Sequence, residues 1–228
     1  MVDLTASTQS DLAELVDASV AKSGELIVAD FQSAGRGRLD RSFEAPPKSA
    51  LLFSFFLKPK RVRSDWSFIS FLAAITMHEV ISKDIKDKVS LKWPNDILIG
   101  DRKVAGLLAQ QIGDGIIVGI GLNVAMNSDE LPVPTAISLA LAGSNNLDRN
   151  VLLSEFLNCF ESIFTEWESG SEFLEKYHQI SSTIGRQVRV EVLGRDPIEA
   201  EAAAITAQGA LILGDGVEVN VGDVVHLR

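Results

Sequence analysis

A single cysteine, Cys159, in 228 residues leaves no partner for an intrachain disulfide and no cysteine set for a zinc site. Histidine is scarce too. His78, His178 and His226 stand far apart without the short spacing of a metal-binding pair, so each reads as solvated or structurally satisfied. No apolar run approaches the roughly 18 residues that cross a bilayer. The N-terminal MVDLTASTQSDLAELV has no basic stretch ahead of an apolar one, so no leader is expected. Positive charge is short as well: 21 Lys and Arg face 31 Asp and Glu, a formal net charge of −10 that opposes non-specific nucleic-acid binding. The expectation is a cytoplasmic protein with neither DNA nor membrane as a partner. Neither G-x-x-x-x-G-K-[ST] nor G-x-S-x-G occurs. Asp40 stands where a dinucleotide fingerprint starting at Gly35 needs its third glycine.

What is present fits a medium folded domain with a small companion, with 46% of residues hydrophobic and 23% charged. Leu12, Leu15, Val16 and Val20 recur at helical spacing after Ser7-Thr8-Gln9-Ser10, which predicts a short first helix. Glu25–Phe31 reads as a strand. Ala50–Leu57 (ALLFSFFL), apolar at nearly every position, reads as a strand buried on both faces. Ser64-Asp65 is expected to cap a helix whose stripe is Trp66, Ile69, Ala73, Met77, Val80 and Ile81. Apolar runs at Val89–Trp93, Ile97–Ile99, Val104–Ile112 and Ile116–Val124 predict an antiparallel meander, with Gly113-Asp114-Gly115 turning between the last two.

Asp148 is expected to cap a longer helix with Leu152, Phe156, Phe160, Ile163, Phe164 and Trp167 inward. Cys159 lies among them as a small buried hydrophobe. From residue 181 the texture changes to short alternating segments at 187–192, 198–205, 210–213, 217–220 and 224–228, a small β-barrel pattern. The fold class is therefore α+β. A mixed, largely antiparallel sheet flanked by helices occupies residues 1–180, and a compact barrel occupies 181–228.

Three segments could carry chemistry. Gln32-Ser33-Ala34-Gly35-Arg36-Gly37-Arg38-Leu39-Asp40-Arg41 gathers three arginines and one aspartate in six residues of an acidic chain. Glycines beside Arg36 let backbone N–H groups approach a ligand, and guanidinium forks bind carboxylate or phosphate bidentately. Lys92-Trp93-Pro94-Asn95-Asp96, with Lys103 and Gly106 beyond it, offers ammonium groups for phosphate oxygens and a carboxylate for Mg²⁺. Gly119-Ile120-Gly121-Leu122-Asn123 places glycines inside an apolar strand, which weakens it unless something needs the space. Taken singly, each also reads as ordinary structure: a solvated basic turn, a polar hairpin, a close strand contact. Together they point to a site that holds an anionic substrate against a nucleoside triphosphate without a Walker loop.

In order and spacing, Gly35-Arg36-Gly37-Arg38-x-x-Arg41, Lys92-Trp93-Pro94-Asn95-Asp96, Lys103-x-x-Gly106 and Gly119-x-Gly121-x-Asn123 resemble the motifs of biotin protein ligases (biotin–[acetyl-CoA-carboxylase] ligases). The resemblance runs from Ser7-Thr8 into the C-terminal barrel. It implies the class II aminoacyl-tRNA synthetase/biotin ligase-like fold with an SH3-like barrel. It also implies a two-step reaction: biotin and ATP give biotinyl-5′-AMP, and a lysine of a biotin carboxyl carrier protein then takes the biotinyl group. Carried over residue by residue, Arg38 and Lys103 are the catalytic candidates. Ser7, Thr8, Gln32, Gly35, Arg36, Gly37, Arg38, Lys103, Gly106 and Leu108 would bind biotin. Arg36, Arg38, Arg41, Lys92, Asn95, Asp96, Lys103 and Asn123 would bind ATP, and Asp96 would hold Mg²⁺, directly or through water.

Gln9 departs from the Asn that many members carry after Ser-Thr, and Leu39-Asp40 interrupts a loop that is often more basic. Phe43 matches an expected aromatic. A lipoate or octanoate ligase or transferase of the same fold family is the alternative enzyme. A biotin-operon repressor is disfavoured, because the Ser-Thr motif begins at residue 7 and the charge opposes DNA. Members of the family occur as monomers and as homodimers, and the sequence does not choose between them.

Overall fold

A computed structural model describes every residue except Leu39, Asp40, Leu193, Arg195 and Arg228. The Leu39-Asp40 departure and the last residue of the expected 224–228 strand therefore lie outside the described residues. Six strands form one sheet: β1 (Leu26–Ala29), β2 (Ala50–Leu57), β3 (Val89–Lys92), β4 (Asp96–Ile99), β5 (Arg102–Ile112) and β6 (Gly115–Asn123). Their order is β1-β2-β6-β5-β4-β3, and every neighbouring pair is antiparallel. Parallel pairing enters at isolated bridges, Val2 to Ala29, Thr5 to Gln32 and Lys103 to Ala136 among them.

All eight side chains of β2 are buried, as a strand covered on both faces requires. Phe53 and Phe55 point to one face, where they meet Phe156 and Phe160. Those rings belong to helix α3 (Arg149–Glu168). Phe56 points to the other face and packs with Leu12 and Ile117, Leu12 lying in helix α1 (Thr8–Asp17). Asp148 caps α3 as the sequence predicts, accepting from the N–H groups of Asn150 and Val151.

Helix α2 (Ile69–Ser82) lies between the sheet, α3 and helix α4 (Leu174–Ile180), so ten of its fourteen residues are buried and not a single stripe. The predicted cap at Ser64-Asp65 is not formed. A 3-10 turn over Arg63–Phe68 leads into α2 and tucks both Trp66 and Phe68 inward, and no side chain caps either element. Val20 is likewise not on the first helix, which stops at Asp17. Ser19 adopts a left-handed conformation and Val20 is exposed. Cys159 is half-buried, and its thiol donates to Glu79 at 3.2 Å. Burial first, then the Glu79 carboxylate, pushes that thiol up to about 11.

Strands β7 (Gln187–Glu191), β8 (Ile198–Ile205), β9 (Leu211–Leu213), β10 (Glu218–Val219) and β11 (Asp223–His226) make a second antiparallel sheet in the order β10-β9-β8-β7-β11. Its two edges, β10 and β11, are joined by residues 220–222 alone. Such a link spans at most about 14 Å, whereas five flat strands would set the edges about 19 Å apart. The sheet must therefore curl toward a barrel. It is fixed to the first sheet near Trp93, whose backbone N–H donates to Thr183 and whose indole N–H donates to the Gly209 carbonyl.

Candidate functional site

The α1 face of the large sheet has a patch almost without side chains. Gly106 pairs with Gly121 and Leu108 with Gly119 across β5 and β6, while Ser54 of β2 pairs with Gly119. Cross-strand partners share a face, so three glycines and Leu108 lie together as a flat floor with Ser54 beside them. Two glycines are required by what stands over them. A Cβ at Gly121 would lie 2.5 Å from the Phe43 ring, and one at Gly119 would lie 2.6 Å from the Gln9 Oε1. This floor belongs to a cavity of about 150 Å³.

Basic side chains gather at one end. The alternation of a regular strand would place Lys103 with Ala105, on the face opposite Gly106. A register shift at Ile97/Leu98 instead sets Lys103 opposite Leu98 and Ala105 opposite Ile97, so Lys103 turns onto the face of Gly106. There its Nζ lies 2.6 Å from Asp96 Oδ1, an ion pair whose angles are poor for a hydrogen bond. Lys92 pairs with Asp96 across β3 and β4 and joins the same row. Burial lowers the Lys92 ammonium from its ordinary value, with Asp96 opposing and Lys103 adding to the shift.

The arginine segment folds back over this row. Gly37 N–H donates to the Arg41 carbonyl at 2.7 Å and Phe43 N–H to the Gly35 carbonyl at 2.9 Å. Arg38 reaches the second sheet, donating from Nη2 to the Gly222 carbonyl at 3.2 Å. Arg41 pairs with Asp223. Burial lowers the Arg38 guanidinium from its ordinary value, against the pull of Asp223 and Asp96. Among the described residues, Arg36, Arg38, Arg41, Lys92 and Lys103 line the cavity together with two carboxylates, Asp96 and Asp223. Among those described residues, five cations stand against two carboxylates, an excess of three positive charges in a chain of net −10. Such a site attracts anions.

Neutral polar groups gather at the other end. Thr8 at the start of α1 donates to Gln32 Oε1 from its N–H at 2.8 Å and stands 3.0 Å from it through Oγ1. The Ser7 side chain does not cap its helix. Among the described residues, Ser7 Oγ, Gln9 Nε2 and, at the basic end, Arg38 Nε are buried with no partner. Buried polar atoms left unpaired are costly, so three of them around one cavity mark where a ligand would supply partners.

Of the sequence-predicted residues, Ser7, Thr8, Gln32, Arg36, Gly37, Arg38, Arg41, Lys92, Asn95, Asp96, Lys103, Gly106 and Leu108 meet at this cavity. Asn95 spends its amide N–H on the Leu107 carbonyl at 2.7 Å. Gly35 faces a neighbouring hollow with Phe31 and Pro46. Asn123 is not among the cavity residues: it is buried and its amide holds the Ile137 carbonyl at 3.0 Å. Sequence reasoning missed Asp223, which arrives from the second sheet. It also missed Ser54, whose only signal was a lone hydroxyl inside ALLFSFFL.

The chain matches the model of the biotin/lipoate A/B protein ligase family over residues 1–127 and that of the biotin protein ligase C terminal domain over residues 183–227. It is 33% identical to a biotin–[acetyl-CoA-carboxylase] ligase of Mycobacterium tuberculosis, covering 100% of this chain and 88% of that protein. It is 34% identical to the bifunctional ligase/repressor BirA of Escherichia coli over 86% of this chain and 64% of that protein, so it spans just under two thirds of that relative. A structure of the biotin protein ligase from Aquifex aeolicus in complex with biotin and ATP superposes with a TM-score of 0.83 at 28% identity, covering 100% of this chain and 97% of that one.

Proposed function

The chain belongs to the biotin/lipoate A/B protein ligase family, and on that premise we propose that it joins biotin to a lysine of a biotin carboxyl carrier protein in two ATP-driven steps. In the first, a carboxylate oxygen of biotin bonds to the α-phosphorus of ATP while the bond from that phosphorus to the bridging oxygen breaks, releasing pyrophosphate. In the second, the carrier lysine's neutral amine bonds to the acyl carbon of biotinyl-5′-AMP. AMP leaves with the acyl oxygen and the amine gives up a proton.

One observation carries this reading: cations and unpaired neutral polar groups occupy opposite ends of a flat, glycine-paved floor. Lys103 stands against Gly106, Gln9 stands against Gly119, and Leu108, the partner of Gly119, lies two strand residues beyond Gly106, about 7 Å. A ligand with a carboxylate at one end and a compact polar ring at the other suits that layout. The first step brings a carboxylate against a polyanion, so fixed positive charge must offset the repulsion and stabilise charge building on the phosphoryl oxygens. Lys103 would bridge the biotin carboxylate and the α-phosphate, while Lys92 and Arg41 meet the outer phosphates. Arg36 and Arg38, on the segment folded over the row, would seal the mixed anhydride from water. The face of Leu108 would receive the apolar part of the bicycle.

Mg²⁺ bound mainly by triphosphate oxygens needs only one or two protein carboxylates. Asp96 fits, because its Oδ1 faces Lys103 and its second oxygen is not in that pair. The ion would supply further neutralisation of the polyphosphate. The C-terminal residues 181–228 would act as a wall of the site, because Arg38 and Arg41 both reach residues of that sheet.

The test is exchange of labelled pyrophosphate into ATP by purified protein with Mg²⁺, with biotin, lipoate or octanoate as the acid. Exchange that requires biotin, followed by labelling of a carrier protein's lysine, is expected. Exchange with lipoate or octanoate in place of biotin would overturn the choice of substrate.

A further inference from the structure

Strand β6 pairs with β5 only as far as Leu122, opposite Ala105. Lys103 lies beyond that pair, at the register shift that turns it onto the face of Gly106. The ladder is broken there, and the backbone needs other partners. A different stretch of chain supplies them. Residues 135–137 return beside β5 and bridge Lys103 in parallel through Ala136. The Lys103 N–H donates to the Thr135 carbonyl at 2.7 Å, and the Lys103 carbonyl accepts from the Ile137 N–H at 2.9 Å. Both backbone groups of Lys103 are thus spent on one short segment. The tilt of its peptide planes, and with it the direction of its side chain, follows that segment.

Residues 135–137 belong to no strand of either sheet, so they must be held in place from outside. Asn123, the last residue of β6, reaches them directly: its Nδ2 donates to the Ile137 carbonyl at 3.0 Å. The Asn123 carbonyl accepts from the Leu139 N–H at 3.0 Å, and Ser138 Oγ donates to the Met126 carbonyl at 2.7 Å. Asn123 is 4% exposed and Ser138 0%, so water does not stand in for a lost bond at either residue. Ile137 therefore sits between two side chains of unlike duty. Its N–H meets Lys103, and its carbonyl meets Asn123.

We propose that Asn123 is a positioning residue for the first step, fixing the segment that aims Lys103, and is not a contact to ATP. On the reading of Lys103 given above, which this inference rests on, the ammonium bridges two ligand anions and acts only from the right place. A displacement of about 1 Å can cost such a step about 10²-fold. An alanine at 123 would leave the Ile137 carbonyl buried without its donor, and the segment would move to recover a partner. Lys103, bonded to that segment at both backbone groups, would move with it. The asparagine that closes Gly119-x-Gly121-x-Asn123 thus serves the ammonium from behind, through the backbone.

The experiment is a double-mutant cycle on single-turnover adenylate formation from biotin and ATP, with Asn123→Ala, Lys103→Ala and the two combined. Asn123→Ala alone should slow the step by about tenfold or more, with the KM for ATP within about twofold. In the Lys103→Ala background the same change should cost less than about twofold, because the group it aims is already gone. Binding of biotin and of its alcohol analogue, read by titration calorimetry, gives a second measure free of turnover. Asn123→Ala should lower the preference for the carboxylate by about fivefold, the alcohol being held as before. Ser138→Ala loosens the same segment at its other anchor and decides the matter if Asn123→Ala fails to fold, with the same coupling to Lys103 expected. Equal losses in the two backgrounds, or a raised KM for ATP with the carboxylate preference kept, overturn the positioning role. No biotin-dependent exchange in the unaltered, folded protein would instead overturn the biotin reading.

Discussion

Lys103 Nζ and Asp96 Oδ1 lie 2.6 Å apart on the face of the sheet that carries Gly106, although strand alternation from Ala105 would turn Lys103 to the other side. The pair is partly exposed, with 39% of the Lys103 and 23% of the Asp96 side chain accessible. Screening by water limits what it adds to stability to about 1 kcal/mol or less. Its value lies elsewhere: the ammonium is held at the basic end of the cavity and can exchange a carboxylate partner of the protein for a carboxylate of the ligand.

Lys103→Ala should therefore leave the fold intact and lower biotin-dependent pyrophosphate exchange by about 10²-fold or more, the loss typical of one preorganised charge-stabilising group. Single-turnover formation of the adenylate is the measurement. A near-normal rate would remove Lys103 from the first step.

Gly119→Ala places a methyl group where the Gln9 amide oxygen stands. The KM for biotin should rise about tenfold or more while the KM for ATP stays within about twofold, as expected when only one substrate's contacts are lost. Parallel rises in both constants would show that the change disturbs the sheet as a whole.

Asp223→Ala releases Arg41 from the second sheet. Because the arginine is mostly exposed, the pair is worth about 0.2–1 kcal/mol. Release of biotinyl-5′-AMP should quicken by up to about fivefold, followed with labelled adenylate and an excess of unlabelled biotin. Raising the salt concentration should narrow the gap between the two proteins. Equal release rates at low salt would mean that this ion pair does not hold the arginine segment closed.

His226 is held at about 4, below its usual range, first by burial and then by the neighbouring cations Lys92 and Arg186. Trp93 N–H donates to Thr183 Oγ1, which in turn lies 3.1 Å from His226 Nε2. Above pH about 6.5 the ring is neutral in both the folded and the unfolded chain. Between 6.5 and 4 the unfolded chain takes up the proton and the folded one does not, so stability falls as the pH drops through that window. Melting temperatures at pH 7.5 and 5 should differ less in His226→Gln than in the unaltered protein. Equal differences would rule out His226 as a source of the slope.

Arg149, the first residue of α3, donates from Nη2 to Asp30 Oδ1 at 2.7 Å, close to the root of the arginine segment. The Asp30 side chain is 10% exposed, and among the described residues the cation that would remain near it is Lys48, at 3.8 Å. Arg149→Met should destabilise the protein by about 2–4 kcal/mol, because it strands a buried carboxylate. Urea unfolding reads this directly, and a change below about 0.5 kcal/mol would show that Lys48 compensates.

Much of the architecture was legible in the residues. The unbroken apolar run of β2, the Asp148 cap and the Gly113-Asp114-Gly115 turn fixed strands and helices where the structure has them, because each is a local pattern with one good solution. The cap expected at Ser64-Asp65 failed because two aromatic residues, Trp66 and Phe68, had to be buried in one turn, and packing outweighs a single cap. Asn123 sits apart from the cavity because its amide is needed by the Ile137 backbone. Asp223 could not be foreseen, since its role depends on how the second sheet lies against the first.

By itself the sequence determined which chemical groups were available: a surplus of guanidinium and ammonium in three short segments of an acidic chain, with glycines between them. Only the tertiary structure decided that those groups face one another. A one-residue slip in β5 reverses the direction of every side chain beyond it, and no pattern of residue types along the chain says on which side of such a slip Lys103 will stand.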